Sequence, residues 1–146
     1  MSAVKGLNKD SLSAVLSATT LLLTLYSGPT LSDEVKVALR GEQEIPPVIT
    51  AATGSGILVV GSDKSISGSV TLSGMTVTAA HIHEAAAGKN GPIVVPLTRT
   101  TDTVWVVPAG AKLTDAQYES YRAGSLYFNI HSAAYKSGEI RGQIRP

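Results

Sequence analysis

From residue 35 onward, apolar and polar positions alternate with a period of two, as in strands that bury one face. Val35, Val37 and Leu39 alternate with Lys36, Ala38 and Arg40. A loop over residues 41–53, stiffened by Pro46 and Pro47, separates this strand from a second at 54–60. Gly61-Ser62-Asp63-Lys64 reads as a turn, because Gly and Asp tolerate turn geometry. Ile66, Gly68, Val70 and Leu72 mark a third strand, which ends at Gly74. Further strands are expected at 77–83, 92–99 and 104–107, with a loop at 85–91. Residues 125–132 and 138–145 then form a hairpin across 133–137.

The one helical signal lies at 114–123. Thr114 and Gln117 have capping-box spacing, and Gly124 is a suitable stop. Many short strands, closely spaced turns and one short helix predict an all-β fold, an antiparallel β-sandwich or flattened barrel.

The N-terminus breaks this pattern. Lys5 and Lys9 precede an apolar run at 12–26, which Ser27-Gly28-Pro29 ends. About 15 residues is short for a membrane span, which needs about 20. Residues 1–32 are therefore expected to be a signal peptide, or an N-terminal anchor if uncleaved. Residues 33–146 are expected to form the single domain, either secreted or periplasmic. A membrane association is expected only for the uncleaved form.

Composition narrows the chemistry. With 43% apolar and 16% charged residues, the chain suits a globular core. From Asp33 onward ten basic and ten acidic residues balance, so net charge does not steer partners to the domain. No basic stripe or aromatic platform suggests nucleic acid. The absence of cysteine excludes disulfides, thiolate metal sites and a thiol nucleophile. No Gly-x-Ser-x-Gly elbow, phosphate-cradling loop or carboxylate pair stands out.

The candidate chemistry rests on histidine. The chain has only three: His81 and His83 on one expected strand, and His131 on another. Period-two alternation puts His81 and His83 on one face and Ile82 on the other. It likewise sets Tyr127, Asn129 and His131 opposite Leu126, Phe128 and Ile130. The apolar faces are expected to meet a core and the histidines to face out from it. Imidazoles at i and i+2 start from Cα atoms about 6.5–7 Å apart, close enough to share one ion. Neutral imidazole without thiolate suits copper, zinc, nickel or iron, and the affinity order favours copper. Glu84, Asn129 or Glu139 are the expected partners of the distal ring nitrogens. In the C-terminal hairpin residue 129 should face 141, bringing Arg141 onto the histidine face. There Arg141 could attract a small anion, or pair with Glu139, Glu42 or Glu44. Glu44, ahead of the two prolines, reads first as a loop anchor.

Three blocks carry a family resemblance. The first is Leu39-Arg40-Gly41-Glu42-Gln43-Glu44-Ile45-Pro46-Pro47. The second is Ala80-His81-Ile82-His83-Glu84, followed by Gly88 and Gly91-Pro92-Ile93-Val94. The third runs from Gly124 to Ser132 and resumes over Gly138-Glu139-Ile140-Arg141-Gly142-Gln143-Ile144. Together they resemble the CHRD domain, the module first named from chordin. The resemblance implies an extracytoplasmic, immunoglobulin-like β-sandwich in which the two histidine strands are neighbours. It does not imply a settled activity.

His81-Ile82-His83-Glu84 is also similar to the strand of copper–zinc superoxide dismutases that carries two copper ligands. That likeness implies a superoxide dismutase-like fold and activity, with His131 as a later ligand and Arg141 as the anion guide. The chain departs from it in having only three histidines and no cysteine. The expectation is a metal-binding protein with copper, or zinc, at His81, His83 and His131. The alternatives are copper storage or transfer, and a non-catalytic module that binds a protein partner through the sandwich.

Overall fold

A computed structural model describes residues 31–146. The export segment expected at 1–32 lies outside them, except for Leu31 and Ser32. Among the described residues no helix is long and apolar enough to cross a membrane.

Among the described residues nine strands form: β1 (Ser32–Arg40), β2 (Thr53–Gly61), β3 (Ile66–Ser73), β4 (Val77–Glu84), β5 (Ile93–Pro96), β6 (Thr98–Arg99), β7 (Val104–Val106), β8 (Leu126–Ser132) and β9 (Ile140–Ile144). One short α-helix, α1 (Asp115–Arg122), and a 3₁₀ turn at Gly41–Gln43 complete the set. All the strand pairs are antiparallel, in the order β5-β4-β8-β9-β1-β2-β3-β7-β6. The fold is all-β, as the alternation predicts.

The connection from β5 to β6 shapes the molecule. These strands lie at opposite ends of the sheet order, yet only Leu97 separates them in the chain. The sheet must therefore curl until its two edges meet, giving a nearly closed, flattened barrel. The strand expected at 92–99 is thus two strands. Pro96 has no N–H to continue the ladder, and the Leu97 N–H donates to Ala80 O at 2.9 Å.

The interior is apolar. Val35, Val37 and Leu39 of β1 are buried together with Leu58, Val70, Ile82, Leu126, Phe128, Ile130, Ile140 and Ile144. A Cβ on Gly56 would lie 2.8 Å from the Phe128 ring. β2 and β8 are three places apart in the sheet, so this contact crosses the interior. Gly56 leaves room for the ring in the two-sided packing of the curled sheet.

Helix α1 begins as expected. The Thr114 hydroxyl accepts from Gln117 N–H at 3.2 Å, and the Gln117 side chain accepts from Thr114 N–H at 2.9 Å. Gly124 closes the helix with φ +68°. Ser120 ties α1 to the end of β4 by donating to Glu84 at 2.6 Å.

Candidate metal centre

Strand β8 lies between β4 and β9, paired to both. On the face away from the core, His81 stands opposite Asn129, and His83 opposite Tyr127. His131 stands opposite Ala79, and Asn129 also faces Arg141. The parity of the sequence therefore brings the three histidines, Tyr127, Asn129 and Arg141 to one side.

That side is covered, contrary to the expectation that it faces outward. Every residue of β8 is buried. His83 and His131 are buried, and His81 is the most exposed of the three. The loops at 44–48, 85–92 and 133–138 make the cover. Asn90 donates to Ile45 O at 3.0 Å, tying two of them together. Gln143 donates to Ala85 O at 3.1 Å and to Gly124 O at 2.8 Å. The Arg141 guanidinium donates to Lys89 O at 2.8 Å and to the Asn90 side chain. Its Nε lies 3.4 Å from Glu44 Oε2. The same guanidinium lies 3.9 Å over the Tyr127 ring, which stacks on His83 at 5.1 Å. Of the expected partners for Arg141, Glu44 is the one that it meets.

The ring nitrogens have assignable roles. His83 Nδ1 lies 2.9 Å from Gly91 O, and His131 Nδ1 lies 2.9 Å from Lys136 O. A carbonyl only accepts, so both Nδ1 atoms carry the proton and both Nε2 atoms are bare in neutral rings. His81 Nδ1 lies 3.0 Å from His131 Nε2 and is therefore the donor there. Backbone carbonyls thus orient His83 and His131, in place of the expected Glu84, Asn129 and Glu139. Glu84 accepts from Ser120, Glu139 accepts from Thr50 at 2.6 Å, and Asn129 donates to Ser137 O at 3.4 Å.

Gly91 is held through both of its backbone polar groups. Its carbonyl accepts from His83, and its N–H donates to the Tyr127 hydroxyl at 3.1 Å. In the sequence only the parity that Tyr127 shares with His131 signals its place beside the centre.

The residues fit a metal ion. Ligand-capable atoms of all three histidines lie within 4.8 Å of one another. Metal–imidazole bonds of about 2.0–2.1 Å place ligand atoms roughly 3.3–4.2 Å apart, so modest side-chain adjustment suffices. His83 Nε2 is buried without a hydrogen-bond partner among the described residues. Such an atom is costly unless something meets its lone pair.

Electrostatics keeps the cluster neutral. Burial, followed by the neighbouring His131 and His83, pulls His81 down to about 4. Burial also lowers His83 and His131, opposed by their hydrogen bonds to Gly91 and Lys136. Glu44 shifts the other way, to about 7, because its burial outweighs the attraction of Arg141.

These shifts have opposite consequences for stability. Histidines with depressed values stabilise the fold above the unfolded value of about 6.5, and this contribution is lost as pH falls below it, down to about 4 for His81. Glu44, with a raised value, binds its proton more readily when folded, so acidification from about 7 to 4.5 favours the fold. The metal-free protein should therefore lose stability less steeply below pH 7 than its Glu44→Gln variant. Urea unfolding at pH 7.5 and pH 5 in a chelating buffer measures both slopes; equal slopes would contradict the offset.

A family model, the CHRD domain, matches residues 35–144. The chain belongs to the CHRD family. The match runs from within β1 to the end of β9 and includes His81, His83, His131 and Arg141. No curated protein and no solved structure shows significant similarity to this CHRD chain. The expected likeness to superoxide dismutases is not confirmed by these comparisons.

Proposed function

We propose that this CHRD domain is an exported metal-binding module that holds one ion through His81, His83 and His131, with copper favoured over zinc. The observation that carries the reading is the convergence of three neutral imidazoles, two of them fixed by backbone carbonyls with Nε2 bare. Neutral nitrogen ligands without thiolate suit divalent copper best in the affinity order, and zinc next. Bound copper would supply a one-electron couple, or bound zinc a Lewis acid.

In this reading the chain's own groups bind and orient. Gly91 O and Lys136 O hold the rings of His83 and His131. Tyr127 supports the His83 face, and Arg141 joins the covering loops to β9. Arg141 is only 2% exposed and its guanidinium is engaged, which supports a bracing role over that of an anion guide. Binding and transfer are accordingly favoured over superoxide turnover.

A non-catalytic interaction module is the second reading. Ile45, Ile49 and Tyr135 are exposed apolar residues, and all three line one pocket beside Glu44 and Gly138. Such a patch suits a protein partner.

Metal content separates these readings. The chain, exposed to micromolar Cu(II) or Zn(II) and desalted, should retain one ion. His83→Ala and His131→Ala should each lose it while keeping the β-sheet circular dichroism spectrum. Superoxide decay should be no faster than with the same copper free in buffer. A wild-type chain that retains no ion would overturn the proposal and leave the interaction module.

A further inference from the structure

The three histidines are not equivalent. His83 and His131 are buried, and each is fixed at Nδ1 by a backbone carbonyl. His81 is more exposed, and its hydrogen bond among the described residues runs to another histidine, His131 Nε2. This is the lone pair that His131 must offer to an ion, because its Nδ1 is committed to Lys136 O. His81 is therefore hydrogen-bonded to a ligand atom of the site. An incoming ion requires that hydrogen bond to break, whereas the two carbonyl hydrogen bonds can persist.

We propose that the site is built for exchange: His83 and His131 form its fixed half, and His81 is the labile ligand through which the ion enters and leaves. This rests on the metal-binding reading and adds a direction of access. An acceptor presenting its own ligands would displace His81 first, because breaking that contact leaves both anchored rings in place. The acceptor class is a small chelator or a protein carrying an exposed nitrogen or sulfur ligand. To ligate, His81 must offer a bare nitrogen, so its ring turns to present Nε2 or its proton moves from Nδ1 to Nε2; beyond this only ligands are substituted, and the ion keeps its oxidation state.

Two measurements test this. The first loads the full-length chain with Zn(II) and follows transfer to excess EDTA by stopped flow. His81→Ala should still bind one ion but release it at least about tenfold faster, whereas His83→Ala and His131→Ala should lose stoichiometric binding. His81→Gln serves as the second variant should the alanine form fold poorly. Equal weakening by all three substitutions, or the greatest loss at His81, would overturn the proposal. The second records imidazole nitrogen NMR shifts before and after Zn(II). His83 and His131 should keep a protonated Nδ1, and the hydrogen bond from His81 to His131 should vanish. Persistence of that bond in the loaded chain would also overturn it. A wild-type chain that binds no Zn(II) or Cu(II) would instead remove the metal reading itself.

Discussion

Replacing Arg141 with methionine is expected to destabilise the domain by about 3–5 kcal/mol at pH 8, the usual cost of leaving a buried charge without its partner. Arg141 and Glu44 are 2% and 3% exposed, so solvent does little to replace the lost ion pair. Methionine also abandons Lys89 O, Asn90 and the Tyr127 ring face. The loss should shrink by pH 5, because Glu44 already tends toward its neutral form and gives up less without the guanidinium. A Glu44→Gln/Arg141→Met double variant should recover part of the loss, and the double-mutant cycle measures the coupling. Urea unfolding at the two pH values provides the numbers. A stable Arg141→Met protein with weakened anion binding would instead restore the anion-guide role.

A single methyl group at Gly91 should have a comparable effect by a different route. A Cβ there would lie 1.8 Å from the Glu84 carbonyl oxygen, far inside contact distance. Glu84 belongs to β4, and its N–H donates to Pro92 O at 3.0 Å, so strand and loop cannot separate freely. Gly91→Ala is expected to cost about 3 kcal/mol, as overpacking against fixed backbone does. It should also shift the Gly91 carbonyl that holds His83 and the Gly91 N–H that meets Tyr127. Metal affinity should then fall about 10–100-fold, the usual effect of disturbing the group that orients a ligand. Isothermal titration with Zn(II) and thermal unfolding check the two effects together. Unchanged affinity would show that Gly91 O does not set the ligand.

Much of this centre was legible in the chain. Period-two parity set His81 and His83 on one face of their strand, and Tyr127, Asn129 and His131 on one face of theirs. Hairpin spacing paired residue 129 with 141, and the register confirms that pair. The capping box of α1 was equally plain. The adjacency of β4 and β8 was not, because their pairing spans more than 40 residues and came only with the family resemblance.

The cover over the site was hidden for another reason. Loops at 44–48, 85–92 and 133–138 have no periodicity, so their destination cannot be read from hydrophobic spacing. The partners of His83 and His131 are backbone carbonyls, which every residue possesses. No side-chain type announces them, and side-chain chemistry alone points instead to Glu84, Asn129 and Glu139. Two glycines carried the missing signal. Gly91 and Gly138 sit where a Cβ would strike Glu84 O in one case, and Asn129 and Glu44 in the other. The expected strand at 92–99 failed at Pro96, a residue that cannot donate to a ladder and so marked the break.

X-ray absorption on the chain loaded with one equivalent of Cu(II) tests the centre most directly. Three imidazole nitrogens at about 2.0–2.1 Å are predicted in the first shell, falling to two in His81→Ala. A first shell made of oxygen, or one unchanged when His83 or His131 is removed, would show that the ion binds elsewhere.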